Sequence, residues 1–148
     1  MFKYWWQKIT NTRKIDPSVK VLIIEDNHVD ARMFEKAVNI CGFTSLVAWD
    51  GRSGIEMARN YSPRLIILDY QLPDMNGADV LRGLRCKKET AAESVMVLSI
   101  LDSSEVIIKS FENGADQYFK KPIDLKTLVG QINTMVYRSN IVRDDNGI

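Results

Sequence analysis

The 148-residue chain has the length of one ordinary domain, enough to bury a hydrophobic core and too little for two cores with a linker. Its 45% hydrophobic and 26% charged residues sit at the globular average, which excludes a disordered, collagen-like or coiled-coil chain. The formal net charge of +1 gives no global pull toward nucleic acid, although the first 20 residues carry +4 and the remainder −3.

In chain order, Phe2, Trp5, Trp6 and Ile9 fall at i, i+3, i+4 and i+7 among basic residues, the pattern of a short amphipathic helix. Five apolar runs then alternate with helical patterns. Val19 to Ile24 reads as the first strand, and Val29, Met33, Phe34, Ala37, Val38 and Cys41 form a helical stripe that stops at Gly42. Phe43 to Ala48 is the second strand. Ser53 and Glu56, at capping-box spacing, mark the start of a second helix that must end before Ser62-Pro63. Arg64 to Leu68 follows as a strand, then a helix from about Ala78 to Arg85. Val95 to Ser99 is the fourth strand. A helix begins after Asp102, with Glu105 three residues on, and ends near Gly114. Gln117 to Phe119 is the last strand, and Leu125, Leu128, Val129, Ile132, Met135 and Val136 line the final helix.

Three of the strands are apolar on both faces and so need cover above and below, as in a parallel sheet between helices. Alternating β and α with short connections predicts an α/β, doubly wound, open five-stranded parallel sheet with its ligand site at the carboxyl ends of the strands. Those ends carry Glu25 and Asp26 after the first strand, Asp69 after the third, Ser99 after the fourth and Lys121 after the fifth. Gathered carboxylates repel one another and call for a cation. Hard oxygen donors without His or Cys suit Mg²⁺. Ser99 can donate a hydrogen bond and Lys121 can neutralise anionic oxygens, so the set can hold a phosphoryl group on a carboxylate.

These residues give the chain a resemblance to the receiver domain of the bacterial two-component response regulator family. VLIIEDN from Val21 is similar to the family's first strand and acidic pair, LIILDYQLPDMNG from Leu65 to its phosphoacceptor segment, and GADQYFKKP from Gly114 to the segment ending in Lys-Pro. The resemblance covers roughly residues 19 to 138, leaving an N-terminal extension (1–18) and a C-terminal tail (139–148). It implies the flavodoxin-like receiver fold with strand order 2-1-3-4-5, and Asp69 as phosphoacceptor. It further implies Mg²⁺ bound directly by Asp26 and Asp69, by Glu25 through water and by the backbone carbonyl of Gln71. Ser99 and Lys121 would contact the phosphoryl group, Tyr118 would be the aromatic switch coupled to Ser99, and the Lys121–Pro122 bond would be cis. The alternation of side chains then sends Lys120 away from the site. Two departures stand out. Ile100 replaces the usual small residue after the hydroxyl and narrows access to Asp69, and Gln71 and Leu101 occupy positions that tune the lifetime of the acyl phosphate.

Other strand-end chemistries are excluded. No GxxxxGK[ST] occurs for a nucleotidase, no glycine turn follows the first strand for a dinucleotide, and Gln71 stands where a haloacid-dehalogenase-type enzyme needs its acid. A signalling module is expected, not an enzyme. Its expected partners are a sensor histidine kinase or histidine phosphotransfer protein and a downstream protein at the surface of the fourth helix, fifth strand and fifth helix, with no direct nucleic-acid binding. The aromatic extension could serve a homodimer, a protein partner or an anionic membrane surface, and the alternative is a receiver belonging to a larger protein with an enzymatic or DNA-binding output. Cys41 and Cys86 are each isolated and His28 is the single histidine, so neither a disulfide framework nor a zinc site is expected. With no run near the ~18 apolar residues of a membrane span and no signal peptide, a soluble cytoplasmic protein is expected.

Overall fold

The computed structural model describes residues 15–145, with side chains described to residue 138. The elements alternate as β1 (Lys20–Ile24), α1 (His28–Ile40), β2 (Thr44–Ala48), α2 (Gly51–Tyr61), β3 (Leu65–Asp69), α3 (Gly77–Arg85), β4 (Ser94–Ser99), α4 (Ser104–Glu112), β5 (Gln117–Lys120) and α5 (Leu125–Asp145). The strands form one sheet in the order β2-β1-β3-β4-β5, and every pair is parallel. This is the doubly wound receiver fold expected above. The expected stripe of Phe2, Trp5, Trp6 and Ile9 lies outside the described residues.

The two-sided apolar strands divide their side chains between two cores, as the period-2 alternation of a strand requires. Val21, Ile23, Leu65, Ile67, Met96 and Leu98 face α1 and α5, meeting Phe34, Ala37, Val38, Leu128, Val129 and Ile132. Leu22, Ile24, Ile66, Leu68, Val95 and Val97 face the other way, onto Ala58, Val80, Leu81 and Leu84 of α2 and α3. Each fully buried branched side chain contributes about 1.5–3 kcal/mol. The central strands therefore form a rigid base for whatever projects from their carboxyl ends.

The helix ends follow local chemistry and correct several sequence expectations. α2 begins two residues earlier than Ser53, because Asp50 is its cap and accepts from the Ser53 backbone N–H at 2.7 Å. α4 is capped by Ser103, not Asp102, which instead pairs with Lys120. α3 starts at Gly77 behind a reciprocal capping box of Asn76 and Asp79 that the sequence reading did not identify. Val29, assigned to the buried stripe of α1, is 77% exposed. It lies in the first turn after the Asn27 cap, and the buried face begins at Ala31. Gly42 and Gly114 take the left-handed conformation after α1 and α4 at φ +84° and +103°, where a side chain would be strained. β4 starts one residue earlier than expected, β5 extends through Lys120, and α5 continues beyond residue 138 to Asp145.

Candidate functional site

Strand register assembles the site. β1 and β3 pair Ile24 with Leu68, so Glu25 and Asp69, each one residue further on, emerge side by side. Oxygens of Glu25, Asp26 and Asp69 lie within 4.8 Å of one another. Glu25 is 1% exposed and Asp69 8%, whereas Asp26 is open to solvent. The ammonium of Lys121 reaches this cluster from the loop after β5, through a cis Lys121–Pro122 peptide. Its Nζ stands 2.6 Å from Glu25 Oε2, 3.0 Å from Asp30 Oδ2 and 3.6 Å from Asp69 Oδ2, and 5.7 Å from the centre of the Phe34 ring. Lys120 points elsewhere and pairs with Asp102 at 2.8 Å, so the two adjacent lysines separate as strand alternation dictates.

Glu25, Asp26, Asp69, Gln71, Ile100 and Lys121 line one open cleft of about 580 Å³. Ile100 is 63% exposed and lines the same cleft as Asp69. Ser99 and Tyr118 do not line the cleft. Ser99 is fully buried behind it and its Oγ accepts the backbone N–H of Leu101 at 3.1 Å. The half-buried Tyr118 hydroxyl donates to the carbonyl of that same Leu101 at 2.5 Å. One residue therefore bridges the two side chains expected to act as a switch.

Burial opposes ionisation of the two enclosed carboxyls, Glu25 and Asp69. It pushes the Glu25 carboxyl up to about 7, against the lowering effect of hydrogen bonds from Lys121 and the Asn27 backbone. Burial likewise raises Asp69 above the usual carboxylate range, although Lys121 pulls it down. Burial alone would lower Lys121, but the hydrogen bond to Glu25, the Asp69 charge and the hydrogen bond to Asp30 outweigh it and leave the ammonium raised. A site with more carboxylates than ammonium groups, held in low dielectric, favours an added cation.

Two carboxylates that shape the site were missed from sequence. Asp30, in the first turn of α1, accepts a second hydrogen bond from Lys121; its spacing of four from Asp26 was the available signal. Asp74 accepts the backbone N–H groups of Gly51 and Arg52 at 2.8 and 2.9 Å, tying the loop after Asp69 to the start of α2. The same loop closes through Gly77, whose N–H donates to the Tyr70 carbonyl at 2.7 Å. A Cβ there would stand 2.8 Å from the Tyr70 ring and 2.9 Å from its Cα, so the close approach requires glycine.

A doubly wound sheet with an acidic cluster, a hydroxyl and a lysine at its carboxyl edge defines a receiver-type signalling domain. Residues 21–133 match the family model for the response regulator receiver domain, and the chain belongs to that family. It is 36% identical over 121 residues to the cell cycle transcriptional regulator CtrA of Caulobacter vibrioides, covering 82% of this chain and 52% of that protein. It is 33% identical over 124 residues to the transcriptional regulatory protein CusR of Escherichia coli, covering 84% and 54%. The chain thus spans about half the length of these curated relatives. Among solved structures, the receiver domain of the Francisella response regulator 1452 is similar at a TM-score of 0.74 and 28% identity, covering 82% of this chain and 98% of that one. The chemotaxis response regulator CheY4 of Vibrio cholerae shares the fold at a TM-score of 0.74 and 23% identity, covering 79% and 98%. No helix among the described residues is long and apolar enough to cross a membrane.

Proposed function

We propose that this receiver accepts a phosphoryl group on Asp69 from a phosphohistidine of a sensor histidine kinase or histidine phosphotransfer protein. The Asp69 carboxylate attacks phosphorus, the P–N bond to the donor imidazole breaks, and an acyl phosphate forms. The observation that carries this reading is the convergence of Lys121, Glu25 and Asp26 on the half-enclosed Asp69 carboxylate. Phosphorylation adds about −1.5 to −2 charges, which Lys121 alone cannot offset. Glu25, Asp26, Asp69 and the backbone carbonyl of Gln71 suit Mg²⁺ as an all-oxygen donor set, and the bound ion would supply the missing positive charge.

The downstream path runs from Ser99 through Leu101 to Tyr118 and on to α4, β5 and α5, where Ile108 and Phe111 of α4 are exposed apolar side chains available to a protein partner. A complete switch from 1:99 to 99:1 needs about 5.5 kcal/mol of preference for the active state. A charge-assisted hydrogen bond from Ser99 supplies about 1.5–3 kcal/mol. Ser99→Ala should therefore weaken activation without abolishing phosphate acceptance. The direct test is phosphotransfer from a labelled histidine phosphotransfer protein in Mg²⁺. Wild type should become labelled at Asp69 and Asp69→Asn should not, while persistent label in the variant overturns the assignment.

A second reading places this receiver in a longer transcriptional regulator. Relatives named as a cell cycle transcriptional regulator and a DNA-binding response regulator favour it, and they lend no support to the expectation that nucleic acid plays no part. Phosphorylation-dependent binding of promoter DNA by the natural full-length product would establish it.

A further inference from the structure

We propose that Asp30 is a positioning residue that competes with the incoming phosphoryl group for the Lys121 ammonium and so restrains loading of Asp69. The inference rests on the phosphoacceptor reading and concerns a residue outside the site expected from sequence.

An ammonium has three donor hydrogens and no acceptor. In the resting site two serve Glu25 Oε2 at 2.6 Å and Asp30 Oδ2 at 3.0 Å. Asp69 Oδ2, at 3.6 Å, is within ion-pair range but beyond a good hydrogen bond. Lys121 is thus drawn toward the α1 side of the cleft, away from the carboxylate it would serve. A third hydrogen remains for a phosphoryl oxygen on Asp69, and moving the ammonium toward that oxygen lengthens the two short contacts. Glu25, at 1% exposure, is much harder to rehydrate than Asp30, so leaving it is costly. Asp30, with its side chain 36% exposed, lines the cleft and can be rehydrated. Asp30 is therefore the partner that gives way. Until it does, its carboxylate holds the ammonium back from Asp69 and places a like charge beside the approaching anion.

Asp30 is fixed for this role by the fold. Its backbone N–H donates to the Asn27 cap at 3.0 Å, which sets the first turn of α1 against the Lys121 loop. Replacing only the side-chain charge leaves that backbone bond intact.

The test is beryllofluoride titration at saturating Mg²⁺, followed by backbone NMR, for wild type, Asp30→Asn, Asp30→Ala and Asp30→Glu. The first two variants should bind beryllofluoride about two- to fivefold more tightly, the range expected from removing a partly exposed ion pair that competes for the lysine. Asp30→Glu should retain wild-type affinity. A gain in affinity separates positioning from damage, because a loosened α1 weakens binding. Unchanged or weaker binding by both Asp30→Asn and Asp30→Ala overturns the proposal. Failure of wild type itself to bind beryllofluoride overturns the phosphoacceptor reading and this inference with it.

Discussion

Glu25 should make the metal-free protein less stable as pH rises from mildly acidic to neutral. Its carboxyl is raised from an ordinary 4.5 to about 7 by burial, against the opposing hydrogen bonds from Lys121 and Asn27. Below about pH 4.5 the group is protonated in folded and unfolded chains alike, and it contributes no pH dependence. Between that pH and about 7 the folded protein keeps a proton that the unfolded chain has lost, so stability falls with rising pH. Above about 7 both states are ionised and the full penalty applies. At about 1.36 kcal/mol per pH unit the interval corresponds to roughly 3 kcal/mol, an upper bound because the cluster relaxes around the charge. Lys121, raised from 10.5, titrates far above this window and does not mask it.

The perturbation is Glu25→Gln, which keeps the shape and removes the ionisation. Urea denaturation in chelator at pH 5, 6, 7 and 8 gives unfolding free energies for both proteins. The wild-type curve should fall relative to the variant by up to about 2.5 kcal/mol across that range, whatever constant offset the lost ion pair with Lys121 introduces. Asp69 is also raised by burial and interacts directly with Glu25, so the difference between the two curves reports the titration of the pair. Adding Mg²⁺ at about a hundredfold excess over its dissociation constant should restore about 2.7 kcal/mol to wild type at pH 8. Parallel curves for the two proteins without metal would refute the reasoning, because they would show that Glu25 titrates alike in both states.

Three further outcomes follow from the same geometry. Gly77→Ala should destabilise the fold by about 1–3 kcal/mol, since the new Cβ meets Tyr70 backbone as well as its ring, and denaturant midpoints measure this. Asp74→Ala should cost about 0.5–2 kcal/mol through the lost bonds to the start of α2 and broaden the amide signals of residues 70–76, as seen by NMR. Lys120→Ala should leave phosphorylation of Asp69 nearly unchanged, because its exposed pair with Asp102 lies outside the residues lining the cleft, whereas Lys121→Ala should block the response. Side-by-side labelling separates the two.

The parts legible in the sequence are those in which one side chain reports one local constraint. Runs such as Leu65-Ile66-Ile67-Leu68 are apolar at every position, and burial on both faces of a parallel sheet is what satisfies them. Once the strands were placed, their carboxyl ends named Glu25, Asp26, Asp69 and Lys121 directly, and the structure gathers all four around one cleft. Helix starts were less legible because several residues near each start can cap. Asp50 and Ser53 both lie at the beginning of α2, and Asp50 caps it while Asp74, from a loop more than twenty residues away, takes the neighbouring N–H groups. Val29 fitted the period of the α1 stripe, yet periodicity does not say where the sheet stops covering a helix. Asp30 was hidden for a related reason. Its contact with Lys121 joins residues 91 apart, and in sequence a carboxylate in a helix's first turn already has a sufficient explanation in the helix dipole. Its second partner exists only because β5 delivers Lys121 to the edge that α1 leaves, so the competition for that ammonium belongs to the tertiary fold and not to either segment.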